Sequence, residues 1–440
     1  MSGDVGAATV RPDEALLVAD DLSGAAEAAA ALMAGGGAGV ELRLLATGSP
    51  VPLEPVGPAA VPVIDTDSRY ADPGEAARRV AAALAVRPAA SVIVKKVDSL
   101  LRGPIAAELA RIHASAGLLV FCAALPALGR ATLGGVVHLR GVPLHETDAW
   151  AAERAAPPRD VRAALDGLEV QHVPLSAVRA GGLARVLGRV AETTAVAVCD
   201  AETEGDVQRI VDAALRQRDR APVGLAGTSA LARAVGRWLP PRAPDTGGAV
   251  ESRAERGADR RVLVVAGTLA SVIRDQLAAL RPIGVEPVIA RAITSGGLRG
   301  RIAEAWGDGV AAVRADGGDE WDRRALAALA AELCGVIAPE DDLVLTGGET
   351  ARRVLEALGE TQLRVCGEIE PGAVLSITVG GRRVVTRPGS YGGPESIANI
   401  VAALQGTSRT EPGGTPGRTS ESESKGETCR SRDGASPSSR

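Results

Sequence analysis

Polar residues of four kinds gather at the end of one apolar run near residue 95. The segment SVIVKKVDSLLRG predicts a strand that ends in Lys95 and Lys96, and it places Asp98, Ser99 and Arg102 in the following loop and first helical turn. A guanidinium forks onto carboxylates and phosphates, so these residue types suit an anionic, hydroxylated ligand. Side chains alternate along a strand, so at most one of the two lysines faces a given pocket. Taken alone, the segment is better explained as a solvated strand end, with Asp98 or Ser99 capping the helix.

Two other apolar runs end in similar polar tips. Asp20 and Asp21 follow ALLVA, and Ser23 opens the next helix. Adjacent carboxylates can hold Mg²⁺, accept a hydroxyl proton or bind sugar hydroxyls, and one of them could equally serve only as a helix cap. The run VPVI ends in DTDSR, which adds Arg69 and is otherwise typical of an ordinary turn. Because parallel strands end on one edge of their sheet, the three tips together predict a ligand site at that edge.

Three glycine-containing turns follow strands in the second half of the chain, in VVAGTLAS, LVLTGGETA and RPGSYGG. Small residues at such turns let backbone N–H groups and a helix N-terminus approach phosphate oxygens, so the turns favour an anion site. None of them matches the Walker A pattern or the Rossmann fingerprint. The sequence also lacks HExxH, zinc-ligand spacing and GxSxG, which disfavours hydrolases and zinc enzymes.

The elements that must carry these segments alternate between strands and helices. Continuous apolar runs separated by Ala/Leu-rich helical periods predict an α/β fold of two domains, each with a largely parallel sheet flanked by helices. The segment VLSITVGGRRVVTRP predicts a hairpin that turns at Gly380 and Gly381. The predicted organisation is a flexible N-terminus (1–14), a first domain (15–238), a linker (239–260), a second domain (261–405) and a disordered tail (406–440).

Composition narrows the class of protein. A formal net charge of -5 over 440 residues disfavours a nucleic-acid binder. The sequence has no apolar run of about 20 residues and no signal peptide, which argues against a membrane protein and a secreted one. Its five scattered cysteines favour reduced thiols over a disulfide framework. We therefore expect a soluble, cytoplasmic protein without nucleic-acid or membrane partners.

Taken in order, seven segments resemble those of the four-carbon acid sugar kinase family: ADDLSGA, DTDSR, KKVDSLLRG, GVPLHETD, AGTLAS, TGGETA and RPGSYGG. The resemblance covers about residues 15 to 404. It implies an ATP-dependent kinase that phosphorylates the terminal hydroxyl of a threonate, erythronate or 3-oxo-tetronate type acid. The first domain would bind the acid sugar, the second would bind the nucleotide, and the active site would lie in the interdomain cleft. ATP and Mg²⁺ are the implied cofactors, and a homodimer is compatible with the resemblance.

The resemblance also implies roles for individual residues. Asp20, Asp21 and Asp98 would orient the substrate hydroxyl or accept its proton, and the choice among the three stays open. The residues implied for substrate binding are Arg69, Lys95, Lys96, Ser99 and Arg102. The residues implied for ATP binding are Thr268, Ser271, Gly347, Gly348, Glu349, Thr350, Gly389 and Gly392. No metal ligand is assigned.

Departures from the family pattern leave the substrate open. Ser23 stands where Thr is usual, Glu27 where Asp often falls, and Arg387-Pro388 where Lys-Ser or Lys-Ala is common. The segment PALGRATLGGVVHLRG lacks much of the polar character usual before the HET motif. Two alternatives therefore remain: a kinase of another small anionic hydroxy compound, such as a hydroxylated amino acid, and a non-catalytic protein that binds nucleotides or acid sugars.

Overall fold

The computed structural model describes residues 9–36, 39–46, 56–151, 153, 155–241, 260–267, 272–291, 297–316, 323–389 and 391–406. The predicted tail beyond Gly406 and most of the predicted linker lie outside these residues, as do Thr268 and Ser271. Of the predicted flexible N-terminus, Pro12–Glu14 form a short 3-10 helix. Val10, just before it, is buried and donates its backbone N–H to Trp238 O at 2.7 Å.

A mixed sheet of fifteen strands forms the core of the described chain. The order of its strands is β13-β14-β12-β15-β18-β17-β16-β2-β3-β1-β4-β11-β5-β10-β9. The strands, with three more that form a separate small sheet, are β1 (Ala15–Ala19), β2 (Gly39–Leu44), β3 (Ala60–Asp65), β4 (Val92–Lys96), β5 (Leu118–Cys122), β6 (Arg130–Leu133), β7 (Val136–Leu139), β8 (Val142–Pro143), β9 (Val170–Val173), β10 (Val196–Cys199), β11 (Val223–Gly227), β12 (Val262–Ala266), β13 (Val288–Arg291), β14 (Val310–Asp316), β15 (Asp342–Thr346), β16 (Gln362–Glu370), β17 (Ala373–Thr378) and β18 (Arg383–Arg387).

Helices connect most of these strands and cover the sheet. They are α1 (Leu22–Ala34), α2 (Pro73–Leu84), α3 (Ile105–His113), α4 (Val161–Ala164), α5 (Leu175–Arg179), α6 (Leu183–Val190), α7 (Glu204–Leu215), α8 (Ser229–Gly236), α9 (Val272–Ala278), α10 (Leu298–Glu304), α11 (Arg323–Cys334), α12 (Gly348–Ala357) and α13 (Ser396–Gln405). The predicted α/β class with a largely parallel sheet is confirmed, because apolar runs such as β1, β4, β5, β11 and β12 are buried along their whole length.

The two halves of the chain meet within the large sheet. All pairings among the eight large-sheet strands of the first half, β1–β5 and β9–β11, are parallel, as are those among β12–β15 and β18. The predicted hairpin is present as β17 and β18, and β16 pairs antiparallel with β17 on one side and with β2 on the other. The strand β16 was not predicted. It makes the parallel runs of the two halves one continuous sheet.

The three-stranded antiparallel sheet β6-β7-β8 was also not predicted. Its strands are two to four residues long, too short for a period of two to stand out in the sequence. Gly134 and Gly135 both have positive φ in the turn between β6 and β7. Asp200, just after β10, accepts the backbone N–H groups of both glycines at 2.9 Å, which ties this small sheet to the edge of the large one.

The Ala-rich helix α1 is buried around nearly its whole circumference. It contacts α8 and α12 as well as strands of both halves, so it needs small side chains on every face. At its crossing with α8, Gly35 and Gly236 approach so closely that a Cβ on Gly236 would overlap the carbonyl oxygen of Leu32.

We expect Gly236→Ala to lower the free energy of unfolding by about 1–3 kcal/mol, because the added methyl group meets backbone that cannot move aside easily. The matched control is Gly300→Ala in α10, where a Cβ would meet open space. That change should stabilise the protein by about 0.5–1 kcal/mol through helix propensity. Urea denaturation measures both. Equal effects of the two substitutions would contradict the close helix crossing.

Candidate functional site

The first strand tip places two carboxylates where the order of the sheet reverses. The strand β1 lies between β3 and β4, and such a switch point is where open α/β sheets bind ligands. Asp21 is the N-cap of α1: its Oδ1 accepts the Gly24 N–H at 3.1 Å. Its Oδ2 accepts the Ser23 hydroxyl at 2.7 Å. The interpretation of one acid as a helix cap is therefore correct for Asp21, whereas Asp20 does not cap α1.

Arg69, from the tip after β3, holds both carboxylates. It donates Nε and Nη2 to Asp20 at 2.7 and 3.0 Å, and Nη2 also to Asp21 Oδ1 at 2.6 Å. Burial would raise the pKa of Asp20, but the charges of Arg69, Lys95 and Lys96 outweigh burial and hold that pKa below its usual value. Asp20 is thus ionised and a weak base.

Asp98 and Arg102, after β4, form a second fork. Arg102 donates Nε and Nη2 to the two oxygens of Asp98 at 2.7 and 2.8 Å. Burial would raise the pKa of Asp98, but Arg102, Arg69 and Lys96 lower it far below its usual range. Both residues lie in the loop before α3, so the prediction that the segment from Asp98 to Arg102 runs into the first helical turn is wrong. Asp98 accepts the N–H groups of Leu100 and Arg102 at 3.2 Å each, within that loop, and does not cap the helix.

The two lysines of β4 point to opposite faces of the sheet, as predicted. Lys95 is fully buried, with its Nζ 3.0 Å from Glu108 Oε2 on α3. Lys96 Nζ lies 3.6 Å from Glu27 Oε2 on α1. Glu27 also accepts the hydroxyl of Ser229 at 2.6 Å. The two glutamates were not assigned to the site, although each is an acidic residue inside an otherwise apolar stretch of helix, and that was the available signal.

The TGGET turn after β15 reaches the tip of β1. The strand β15 lies next to β12 at a second reversal of strand order. Gly347 has φ of 95°, and α12 begins at Gly348. A Cβ on Gly348 would overlap the carboxylate of Asp21, so only glycine allows this approach. Thr350 packs equally closely on Gly267 at the end of β12. The structure therefore brings the predicted ATP-binding turn against the predicted catalytic acids.

The acids of DTDSR bond to the second half of the chain. Arg352 of α12 donates Nη1 to Asp65 Oδ2 at 2.7 Å, and both side chains are almost fully buried. Arg353 donates Nη2 to Asp67 Oδ2 at 2.8 Å. These ion pairs fasten α12, which begins at the glycine turn, to the tip that carries Arg69.

Glu349 faces the same ion pairs. Its Oε1 lies 2.8 Å from Arg323 Nε, and Arg323 Nη2 is 3.3 Å from Asp67 Oδ1. Burial and the nearby Asp67 raise the pKa of Glu349, against the attraction of Arg323 and Arg353.

The RPGSYGG segment is held from within the second half. Arg387, at the end of β18, donates Nη1 to Gln276 Oε1 at 2.8 Å and Nη2 to the carbonyl oxygen of Tyr391. Gln276 Nε2 binds the carbonyl oxygens of Tyr391 and Gly392 at 3.0 and 3.1 Å. Burial lowers the pKa of Arg387 to about 10, against the attraction of Glu370. Gly389 lies in the turn between β18 and Tyr391.

Arg130, the first residue of β6, joins this segment to the tip of β4. Its Nη1 donates to the hydroxyl of Ser99, and its charge acts on the hydroxyl of Tyr391, whose pKa it lowers against the larger, raising effect of burial. Neither Arg130 nor Tyr391 was assigned to the site. Nothing in the local pattern distinguishes Arg130 from a surface arginine, because its importance depends on where the short sheet folds.

Two features are absent from the residues that the structure describes: a cluster of metal ligands and a membrane-spanning helix. There, no group of three or more His, Cys, Asp or Glu side chains could hold a metal ion. Nor is any described helix both long and apolar enough to cross a bilayer.

Comparison with known proteins places this site in a family. A model of a sugar-binding N-terminal domain matches residues 15–235, and a model of a nucleotide-binding C-terminal domain matches residues 312–397. A D-threonate kinase of Cupriavidus necator is 33% identical over 424 residues, covering 88% of this chain and 97% of that protein. The chain belongs to the four-carbon acid sugar kinase family.

A second relative agrees with this membership, and a solved structure shares the fold. A D-erythronate kinase of Heliobacterium modesticaldum is 31% identical over 280 residues, covering 60% of each chain. The fold matches that of a Salmonella typhimurium protein described as a putative tRNA synthase, with a TM-score of 0.67, 20% identity, and coverage of 88% of this chain and 98% of that one. The predicted family and enzyme class, a phosphotransferase, are confirmed, and the nucleotide-binding model implies that ATP is used.

Proposed function

We propose that this acid sugar kinase transfers the γ-phosphoryl group of ATP to the terminal hydroxyl of a D-threonate- or D-erythronate-type acid. Residues 15–238 would bind the acid and residues 261–405 the nucleotide. The observation that carries the proposal is the contact of Gly348 with the carboxylate of Asp21. It places a phosphate-binding type of turn beside an acid that can hold a hydroxyl, and phosphoryl transfer depends mainly on such positioning.

Asp21 is the acid we assign to the reacting hydroxyl. Asp20 and Asp98 are each gripped by an arginine fork that holds the pKa of the carboxyl low, so they suit electrostatic positioning better than proton transfer. Asp21 shares Arg69 with Asp20, and it lies against the glycine turn. Its hydrogen bonds to the first turn of α1 fix its orientation.

Lys96 is the lysine we assign to the substrate. Lys96 lies on the face of the sheet that α1 covers, and its charge helps to lower the pKa of Asp98. Lys95 is buried on the opposite face, where it pairs with Glu108. Lys95 then contributes by its charge, which helps to keep Asp20 ionised.

Mg²⁺ fits this arrangement as a companion of ATP. In kinase sites the ion keeps several waters and takes one or two carboxylates together with substrate phosphates, so no cage of three protein acids is needed. Asp21, which contacts Gly348, and Glu349, which follows Gly348 in the chain, are two carboxylates at the turn that could hold it. When bound, the ion would neutralise charge on the transferred phosphoryl group.

We expect ATP-dependent turnover with D-threonate or D-erythronate, and ³¹P NMR should place the phosphate on the terminal hydroxyl. The assay is ATP consumption over a panel of D-threonate, D-erythronate, L-threonate, 3-oxo-tetronates and hydroxylated amino acids. Turnover of a hydroxylated amino acid alone would overturn the substrate class. Binding of ATP without turnover of any compound in the panel would overturn the proposal that the protein is a catalytic kinase.

A further inference from the structure

The cations that the sequence assigned to the substrate are already paired with acids of the protein. Arg69 and Arg102 each place two nitrogens on the carboxylate of Asp20 or Asp98. Lys95 lies at 3.0 Å from a buried glutamate, and Lys96 at 3.6 Å. A substrate carboxylate that used either arginine fork would have to displace an internal carboxylate, leaving that charge unpaired and buried, which is costly.

Arg130 differs from these residues in its partners. Within the described part of the chain, no carboxylate lies within ion-pair distance of its guanidinium. Its Nη1 donates a hydrogen bond to a neutral hydroxyl group, that of Ser99. A guanidinium carries five N–H donors, so one that is bonded to a single hydroxyl still has donors for an anionic oxygen.

Arg130 lies beside the tip of β4, which belongs to the predicted binding site for the acid sugar. Ser99 is the neighbour of Asp98 in the tip of β4. The Tyr391 hydroxyl is close enough to Glu27 and Asp98 for both charges to raise its pKa, after burial, which is the larger cause. Its backbone carbonyl is fixed by Gln276 and Arg387.

We infer that Arg130 binds the carboxylate of the acid sugar. This inference rests on the proposed function, since it names the group that recognises the acid end of that substrate. The Asp21–Gly348 contact marks the phosphoryl-transfer end of the site, and Arg130 marks the other end. The γ-phosphate of ATP carries the same kind of anionic oxygen, so the test separates the two ligands.

The experiment measures dissociation constants by isothermal titration calorimetry for the full-length protein. The ligands are the acid that the wild-type protein phosphorylates and, separately, a non-hydrolysable ATP analogue with Mg²⁺. In Arg130→Met we expect the Kd for the acid to rise about 10- to 100-fold, which corresponds to one or two lost charge-assisted bonds. The Kd for the ATP analogue should stay within about twofold. Arg130→Lys keeps the charge but not the forked guanidinium, so its Kd for the acid should lie between those of the wild-type protein and Arg130→Met.

The matched control is Arg140→Met, which removes an exposed arginine from the turn between β7 and β8 of the same small sheet. It should leave both dissociation constants unchanged.

The outcomes distinguish the inference from the function beneath it. Unchanged acid affinity in Arg130→Met overturns the inference and leaves the kinase in place. Loss of ATP-analogue affinity without loss of acid affinity also overturns it and assigns Arg130 to phosphate. Absence of acid binding by the wild-type protein overturns the proposed function and the inference together.

Discussion

Asp21→Asn is expected to lower kcat by about 10²- to 10⁴-fold, the range for loss of a positioned proton acceptor. Asparagine is as good an N-cap as aspartate, so α1 should keep the bond to the Gly24 N–H and the protein should stay folded. What disappears is the negative charge between Arg69 and Gly348. Steady-state kinetics with the acid and ATP would measure the loss, and circular dichroism would verify the fold.

The control for this change is Asp72→Asn, which alters the N-cap of α2. Asp72 accepts the Glu75 N–H at 2.9 Å, as Asp21 accepts that of Gly24, but it lies outside the site. Its substitution should leave kcat within about twofold. If Asp21→Asn kept full activity, Asp21 would be only a helix cap, and the reacting hydroxyl would have to be assigned to another group.

Arg352→Met is expected to lower the free energy of unfolding by about 3–5 kcal/mol, the usual cost of removing one partner from a buried ion pair. The change leaves the Asp65 carboxylate buried, and it frees the carbonyl oxygen of Leu45, which Arg352 also binds. Methionine keeps most of the volume, so packing contributes little to the loss. Urea denaturation with the matched substitution Arg78→Met, in an exposed pair with Glu75, should show less than about 0.5 kcal/mol.

The loss should depend on pH. Burial raises the pKa of Asp65 to about 6 even with Arg352 present, and removing Arg352 raises it further. A raised folded-state pKa gives stability that is complete below the unfolded value of about 3.9 and is lost as pH rises through the folded value. Arg352→Met should therefore be less destabilising at pH 5, where Asp65 is mostly protonated, than at pH 8. Equal losses at both pH values would show that the charge of Asp65 is not the cause.

Local pattern was enough to predict the strands that carry the site. A parallel strand buried on both faces must be continuously apolar, and the polar residues that end it are therefore conspicuous in ALLVADD, VPVIDTD and VIVKKVD. The same regularity predicted that Lys95 and Lys96 face opposite ways, and their separate partners on α3 and α1 agree with this. The prediction for Arg102 was wrong because the loop after β4 continues to Pro104 before α3 begins.

The sequence by itself therefore determined the fold class, the family and the three polar tips, since each depends on residues that are neighbours in the chain or follow a short period. Only the tertiary structure determined which charged side chains form ion pairs with one another. Asp67 and Arg353 are 286 residues apart, and Asp20 and Arg69 are 49 apart, so no window of sequence relates them. It also set Gly348 against Asp21 and Arg130 beside Ser99 and Tyr391. Such pairings follow from how the sheet and its helices pack, because only packing brings distant residues within the few ångströms over which a hydrogen bond or ion pair acts.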